Sequence, residues 1–183
     1  MLIRLLFFIL CFWSMSTFGQ AGIYAVKSGQ VNFSSEAPKE LISASSKKLK
    51  GILDIEKRTF AFIIDIVSFT GFNNTLQREH FNENYMESDK YPLAKFKGVI
   101  EPKIDWTKDG DYTVSAKGTL TVHGVDQART INGKITIKNK IVSISSTFNV
   151  ACADHQIKIP SLMFAKIAEV IHVKVQGNLN PLN

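Results

Sequence analysis

The sequence predicts an all-β protein, an antiparallel, lipocalin-like β-barrel of about eight strands with one or two short helices. The first observation is strict alternation of apolar and polar residues, most clearly in 112–123, "YTVSAKGTLTVH". Successive side chains of a strand point to opposite faces, so alternation is typical of a half-buried strand. The same alternation recurs in three later runs, 130–138, 142–150 and 170–179.

The second observation is the spacing of these runs. Short turn signals separate them, and neither a long linker nor a long-period repeat interrupts them. Closing such a series of antiparallel strands into a barrel removes the exposed sheet edges that would otherwise pair with other chains. The length of 183 residues suits a single domain of this kind.

A third observation concerns the side chains that the barrel would enclose. In 59–69, "TFAFIIDIVSF", Asp65 marks the outer face and thereby places the large apolar residues inside. Many other inward positions are small: Gly51, Ala94, Gly98, Ala116, Gly118, Gly133, Ser146 and Gly177. These residues either let the strands bend or leave the interior unfilled, and an eight-stranded barrel can hold one small ligand.

We favour the second interpretation, an apolar cavity for a hydrocarbon chain. Alternation assigns eleven residues to its wall: Phe60, Phe62, Ile64, Ile66, Phe96, Leu120, Val122, Ile135, Ile144, Phe148 and Val173. Three aromatic residues are expected to line or close the mouth: Phe81, Tyr85 and Tyr91. Burial of such a chain contributes roughly 0.8 kcal/mol per CH₂ before ordering is counted.

The segment 79–98, "EHFNENYMESDKYPLAKFKG", raises the question of chemistry, because it concentrates acidic residues around His80. Asn74 and Gln77 predict the start of a helix there, with a weaker helical signal near 161–167. His80 and Glu83 share a helix face, but a zinc site needs three or four ligands and no second histidine has the zincin spacing. A structural corner between helix and strand is therefore favoured over a metal or acid–base site.

No catalytic or phosphate-binding motif occurs elsewhere, and we expect no catalytic residue, metal or cofactor apart from a bound isoprenoid or quinone-like ligand. Two alternatives stay open. One is a barrel enzyme that acts on a lipid or uses a metal near His80, Glu83 and His123. The other is a cell-envelope stress or interaction protein with a filled barrel. The net charge of +6 is scattered, which argues against nucleic acid and allows contact with an anionic membrane surface.

The first nineteen residues, "MLIRLLFFILCFWSMSTFG", have the pattern of a secretory signal peptide. Arg4 forms the positive region, 5–13 the apolar region, and cleavage is expected after Gly19. The domain would then span residues 20–183 and be secreted or periplasmic. The mature chain keeps one cysteine, Cys152, which cannot form an internal disulfide and is expected to be a buried structural thiol.

Two motifs together resemble the YceI-like proteins. The first is "FNENYMESDKYPLAKF", an F-x₄-M-x₄-Y-P-x₃-F segment, and the second is "GTLTVHGV", a G-x-L-T-x-H-G-V segment. The similarity runs over roughly residues 28–178. The resemblance implies an extended, lipocalin-like antiparallel barrel, a secreted or periplasmic location, and binding of a polyisoprenoid or related amphiphilic lipid inside the barrel.

Overall fold

The computed structural model describes residues 22–182, so the predicted signal peptide lies outside the described residues. Alternating apolar residues form long strands, nine of them in the described chain. They are β1 Ile23–Ala37, β2 Glu40–Ser46, β3 Lys50–Asp54, β4 Thr59–Asp65, β5 Leu93–Glu101, β6 Gly110–Val122, β7 Val125–Lys138, β8 Ile141–Ala151 and β9 Val170–Pro181.

The strands form one antiparallel sheet that closes on itself. Each strand from β3 to β8 pairs with the next along the chain, and β9 pairs with β1 to complete the ring. Strands β2 and β3 both pair with β1, β2 along residues 31–37 and β3 along residues 23–25, so together they fill one position. The result is an eight-stranded closed barrel, which confirms the predicted fold class.

The connections between strands lie at the two ends of the barrel, and the two longest lie at the same end. We call the side with connections 55–58, 102–109 and 139–140 the closed end, and the opposite side the open end. The open end carries the connections 66–92 and 152–169, and the two-residue turn His123-Gly124. Both turn residues have positive φ, 51° and 71°, which matches the right-handed twist of the hairpin.

The predicted helix lies in the connection 66–92. Helix α1 spans Thr75–His80 and continues as a π-helical turn, Phe81–Tyr85. The side chain of Asn74 accepts a hydrogen bond from the backbone N–H of Gln77 at 2.8 Å, as the capping signal predicts. Near 161–167 the structure has only a short 3₁₀ turn, Ser161–Met163. Within residues 22–182, no helix has both the length and the apolarity needed to span a bilayer.

Large apolar side chains fill the closed end. The buried cluster there comprises Tyr24, Leu53, Phe60, Ile100, Ile104, Val114, Ile135, Ile137, Val142 and Leu179, with Trp106 packed against it from the connection 102–109. A second, smaller cluster surrounds Val31, Ala44, Leu49, Ile64 and Phe69 near the open end. The barrel is therefore solid at one end, and any internal space must lie towards the other.

Candidate functional site

A cavity of about 310 Å³ occupies the barrel interior between the closed-end cluster and the open end. This volume falls in the range of small-molecule sites, roughly 300–1,000 Å³. Its floor is aromatic: the ring of Phe60 lies 5.6 Å from that of Phe62 and 4.9 Å from that of Phe96. The wall is almost entirely apolar, and the side chain of Gln77 is one of its few polar elements.

The structure places all of the predicted wall residues on this cavity. They are Phe60, Phe62, Ile64, Ile66, Phe96, Leu120, Val122, Ile135, Ile144, Phe148 and Val173. Several of them are only half-buried although they point inward, among them Phe96, Ile144 and Phe148. A side chain that points into a filled core has no accessible surface, so the exposure of these residues measures the unfilled space beside them.

Gly51, Gly98 and Gly118 do not create this space, which is a correction to our interpretation of the sequence. A Cβ added to Gly98 would lie 2.0 Å from the carbonyl oxygen of Lys117, and one added to Gly51 would lie 2.2 Å from Cδ1 of Phe62. These positions are glycine because a neighbouring strand or ring already occupies the site of a side chain. The small residues that do border the cavity include Ala94, Ala116, Gly133 and Ser146.

The mouth contains two of the three predicted aromatic residues. Phe81 and Tyr85 line the cavity from the π-helical turn, and burial raises the pKa of the Tyr85 phenol above its ordinary value. Tyr91, which was expected to line or close the mouth, is not among the residues that line the cavity. Its ring instead packs edge-on against His123, with the ring centroids 4.6 Å apart, at the corner that follows the helix.

Phe81 belongs to an aromatic cluster that the sequence analysis did not identify. Its ring stacks on Phe33 at 5.2 Å and lies 5.1 Å from Phe72 and 6.1 Å from Phe69. Phe33 comes from the inward face of β1, and the other rings come from the connection 66–92. The cluster therefore fixes the helical connection over the open end, and the spacing of Phe69 and Phe72 outside any strand gave no signal for this contact.

A second part of the mouth was also missed. Residues 157–168, which we call the mouth loop, connect the 3₁₀ turn Cys152–His155 to the strand β9. Three of its isoleucines, Ile157, Ile159 and Ile167, line the cavity. Alternation over "IKI" was the only available signal, and it is too short to distinguish a strand from a loop.

Cys152 is buried and lies on the cavity wall, as expected for a structural thiol. Burial, with a smaller contribution from the negative charge of Glu169, raises the pKa of the Cys152 thiol to about 11. Nucleophilic chemistry needs the thiolate, so this cysteine is poorly suited to it at neutral pH.

The histidine and glutamate candidates for a metal site do not converge. His80 and Glu83 are exposed on the helical connection, whereas His123 is largely buried and bonded elsewhere. Within residues 22–182, no three His, Cys, Asp or Glu side chains lie close enough to hold a metal ion together. His80, Glu83 and His123 therefore do not form one shared metal site.

Comparisons with known proteins agree with this barrel geometry. The family model of the YceI-like domain matches residues 16–179, which is most of the chain. The chain belongs to the YceI-like family. No curated protein matches it.

Three solved YceI-like or similar structures show the same fold at low identity. The polyisoprenoid-binding domain of a Saccharophagus degradans protein implicated in plant cell wall breakdown is 15% identical, with a TM-score of 0.74, over 87% of this chain and 98% of that one. Burkholderia cenocepacia BcnA is 14% identical, with a TM-score of 0.68, over 82% and 95%. The Campylobacter jejuni YCEI protein is 17% identical, with a TM-score of 0.58, over 75% and 84%.

The two motifs of the YceI-like resemblance meet in space. Tyr91 of the first motif packs on His123 of the second. The ring of His123 also bonds across the open end: Nε2 lies 2.7 Å from a carboxylate oxygen of Glu87, and Nδ1 lies 3.1 Å from the carbonyl oxygen of His155. In this YceI-like barrel His123 therefore links three connections at the open end: its own turn, the connection 66–92 and the connection 152–169. The acidic segment 79–98 is accordingly a structural corner.

Proposed function

We propose that this protein is a secreted or periplasmic lipid-binding protein that holds an isoprenoid or other long-chain amphiphile in its barrel cavity and catalyses no reaction. The observation that carries this proposal is the cavity itself, about 310 Å³ and almost entirely apolar, inside a closed barrel. The alternative of a filled barrel is not supported, because apolar side chains fill the interior only at the closed end.

The chemistry of the wall selects the class of ligand. Aromatic and branched aliphatic side chains offer dispersion contacts and almost no hydrogen-bonding partners. A polar group inside would be desolvated without compensation, so the ligand must enter with its hydrocarbon part and leave its head near the mouth. Burying about ten carbon units contributes roughly 8 kcal/mol, which is enough to offset a moderate cost of association.

The similar Saccharophagus degradans domain is a polyisoprenoid-binding domain, which supports an isoprenoid as the ligand here. The predicted signal peptide supports a location outside the cytoplasm, where an amphiphile needs a protein to keep its chain from water. We infer binding rather than turnover because the cavity wall, as residues 22–182 form it, carries no convergent set of titratable groups.

Organic-solvent extraction of the purified protein, followed by mass spectrometry, tests this function directly. We expect an isoprenoid or quinone-like mass in stoichiometric amount. Titration with cis-parinaric acid, a polyene fatty acid that fluoresces in apolar surroundings, measures binding to emptied protein. A blank extract together with no fluorescence increase would refute the proposal.

One substitution links binding to the cavity. Leu120 points into it from β6, so Leu120→Trp fills the space that the probe needs and should weaken probe binding by about tenfold or more. Thr119→Trp places the same side chain on the outer face of the same strand and is the matched control. Equal probe affinity for both variants, each folded by circular dichroism, would place the ligand elsewhere.

A further inference from the structure

The mouth loop, 157–168, has two faces. Its isoleucines point into the cavity, whereas Leu162 is 92% exposed and Phe164 is 47% exposed to solvent. A single exposed leucine on a protein surface needs no explanation, but these two large residues stand together on a segment that borders the cavity mouth.

The exposed face is held in place. The backbone N–H of Lys39 donates to the carbonyl oxygen of Ala165 at 2.8 Å, and the N–H of Ala168 donates to the hydroxyl of buried Ser35 at 2.9 Å. Both bonds tie the mouth loop to the hairpin between β1 and β2. Leu162 and Phe164 are therefore presented by an anchored segment, next to the opening.

The same hairpin connects the mouth loop with further exposed apolar residues. The side-chain amide of Gln77 in α1 donates to the carboxylate of Glu40 on this hairpin. The residue after Glu40, Leu41, is 60% exposed. Leu76 of α1 is similarly exposed. We call Leu41, Leu76, Leu162 and Phe164 the apolar rim, because all four lie on segments that border the open end.

The mouth loop itself carries only positive charge. The loop contains Lys158 and Lys166 and no acidic residue, and Lys39 lies beside it on the hairpin. In the part of the chain that the structure describes, none of these three lysines forms an ion pair. Acidic residues lie on the segments around it: Glu36 and Glu40 on the hairpin, Glu79 and Glu83 on the helical connection, and Glu169 directly after the loop. Unpaired lysines beside exposed apolar side chains are the composition that binds anionic lipid surfaces.

We propose that the apolar rim docks on an anionic phospholipid bilayer. Leu162 and Phe164 enter the boundary between headgroups and acyl chains, and the three lysines contact lipid phosphates. The cavity mouth then faces the bilayer, so a hydrocarbon chain passes between membrane and barrel without crossing water. This purpose rests on the proposed lipid-binding function, but the docking itself can be measured without a ligand.

Vesicle co-sedimentation of the mature chain provides the test. We expect binding to vesicles of phosphatidylcholine and phosphatidylglycerol (three to one), and much weaker binding to phosphatidylcholine alone. The double variant Leu162→Ser/Phe164→Ser should lose about tenfold or more in partitioning. Its matched control is Ile52→Ser/Ile141→Ser, which removes two exposed apolar side chains away from the rim and should stay within about twofold of the original protein.

A charge variant separates the two contributions. Lys158→Gln/Lys166→Gln should reduce binding to the anionic vesicles and its dependence on salt concentration, whereas Lys138→Gln/Lys140→Gln at the closed end should not. Unchanged vesicle binding by the Leu162/Phe164 double variant would overturn the proposal. A rim-dependent dimer in analytical ultracentrifugation, without vesicle binding, would overturn it too and assign the rim to a second copy.

The same proteins are titrated with cis-parinaric acid in the absence of vesicles. Rim variants that keep full probe affinity but lose vesicle binding support docking as a separate step. If the original protein binds vesicles but not the probe, the proposed lipid-binding function is refuted and the docking proposal stands. If it binds the probe but not vesicles, only the docking proposal is refuted.

Discussion

Gly98 of β5 and Gly118 of β6 are register partners, and neither position has room for a Cβ. A Cβ built on Gly98 would lie 2.0 Å from the carbonyl oxygen of Lys117, and one on Gly118 would lie 2.0 Å from that of Lys97. The two backbones approach closely at this point because both side chains are absent. The pair lets the sheet bend tightly enough to close the barrel.

Gly118→Ala should therefore destabilise the protein severely. The added methyl group meets backbone atoms that cannot rotate away, so we expect a loss of about 3 kcal/mol or more in the free energy of unfolding. The matched control is Gly177→Ala, where the nearest atom to the new Cβ is 3.5 Å away and the contact is ordinary. Urea unfolding, followed by circular dichroism, measures both variants, and equal midpoints would contradict this account.

This pair shows what alternation could and could not predict. Alternation in β5 and β6 correctly placed Gly98 and Gly118 on the inner face, as it placed Leu120 and Phe148 on the cavity. It gives no information on how closely two strands approach each other. Whether an inward glycine leaves a hollow or accommodates a neighbouring backbone depends on that distance, so the cavity was predicted correctly but for a partly wrong reason.

The mouth was predicted less well, because its residues lie outside the strands. Tyr91 precedes a proline at a corner, and its direction is set by contact with the turn His123-Gly124, which is distant in sequence. Ile157 and Ile167 reach the cavity through the course of a loop that has no period. Local pattern determines side-chain direction only where the backbone repeats.

His123→Ala tests the structural role of the motif histidine. The substitution leaves the carbonyl oxygen of His155 and the carboxylate of Glu87 without their partner and removes the surface on which Tyr91 packs. We expect a loss of about 2–4 kcal/mol in the free energy of unfolding and unchanged affinity for cis-parinaric acid. Urea titration and probe fluorescence measure the two quantities.

His172→Ala is the control for this prediction. His172 is exposed on β9, and among residues 22–182 its side chain bonds only that of Asn149, so its removal should change stability by less than about 1 kcal/mol. A His123→Ala variant of full stability that loses a measurable hydrolytic activity would instead favour the enzyme alternative.

Phe81→Ala should accelerate ligand release. The ring of Phe81 joins Phe33, Phe69 and Phe72 and lines the mouth, so its truncation loosens the helical connection over the open end. We expect cis-parinaric acid to dissociate roughly tenfold faster, which corresponds to about 1.4 kcal/mol. Stopped-flow displacement measures the rate. Phe81→Leu keeps apolar bulk and should restore most of the slow release; identical rates for all three proteins would show that the aromatic cluster does not gate the mouth.

The Cys152 thiol gives a pH dependence whose sign is fixed by burial. Its pKa rises from 9.0 to about 11 on folding, so the folded protein keeps the proton that the unfolded chain releases. Below pH 9 both states are protonated and the thiol adds no slope; between about 9 and 11 the free energy of unfolding must fall as pH rises. Cys152→Ala lacks this component but keeps every tyrosine and lysine, so the difference between the two proteins isolates it. Urea unfolding at several pH values measures that difference, and parallel stability curves above pH 9 would show that the thiol ionises as freely in the barrel as in the unfolded chain.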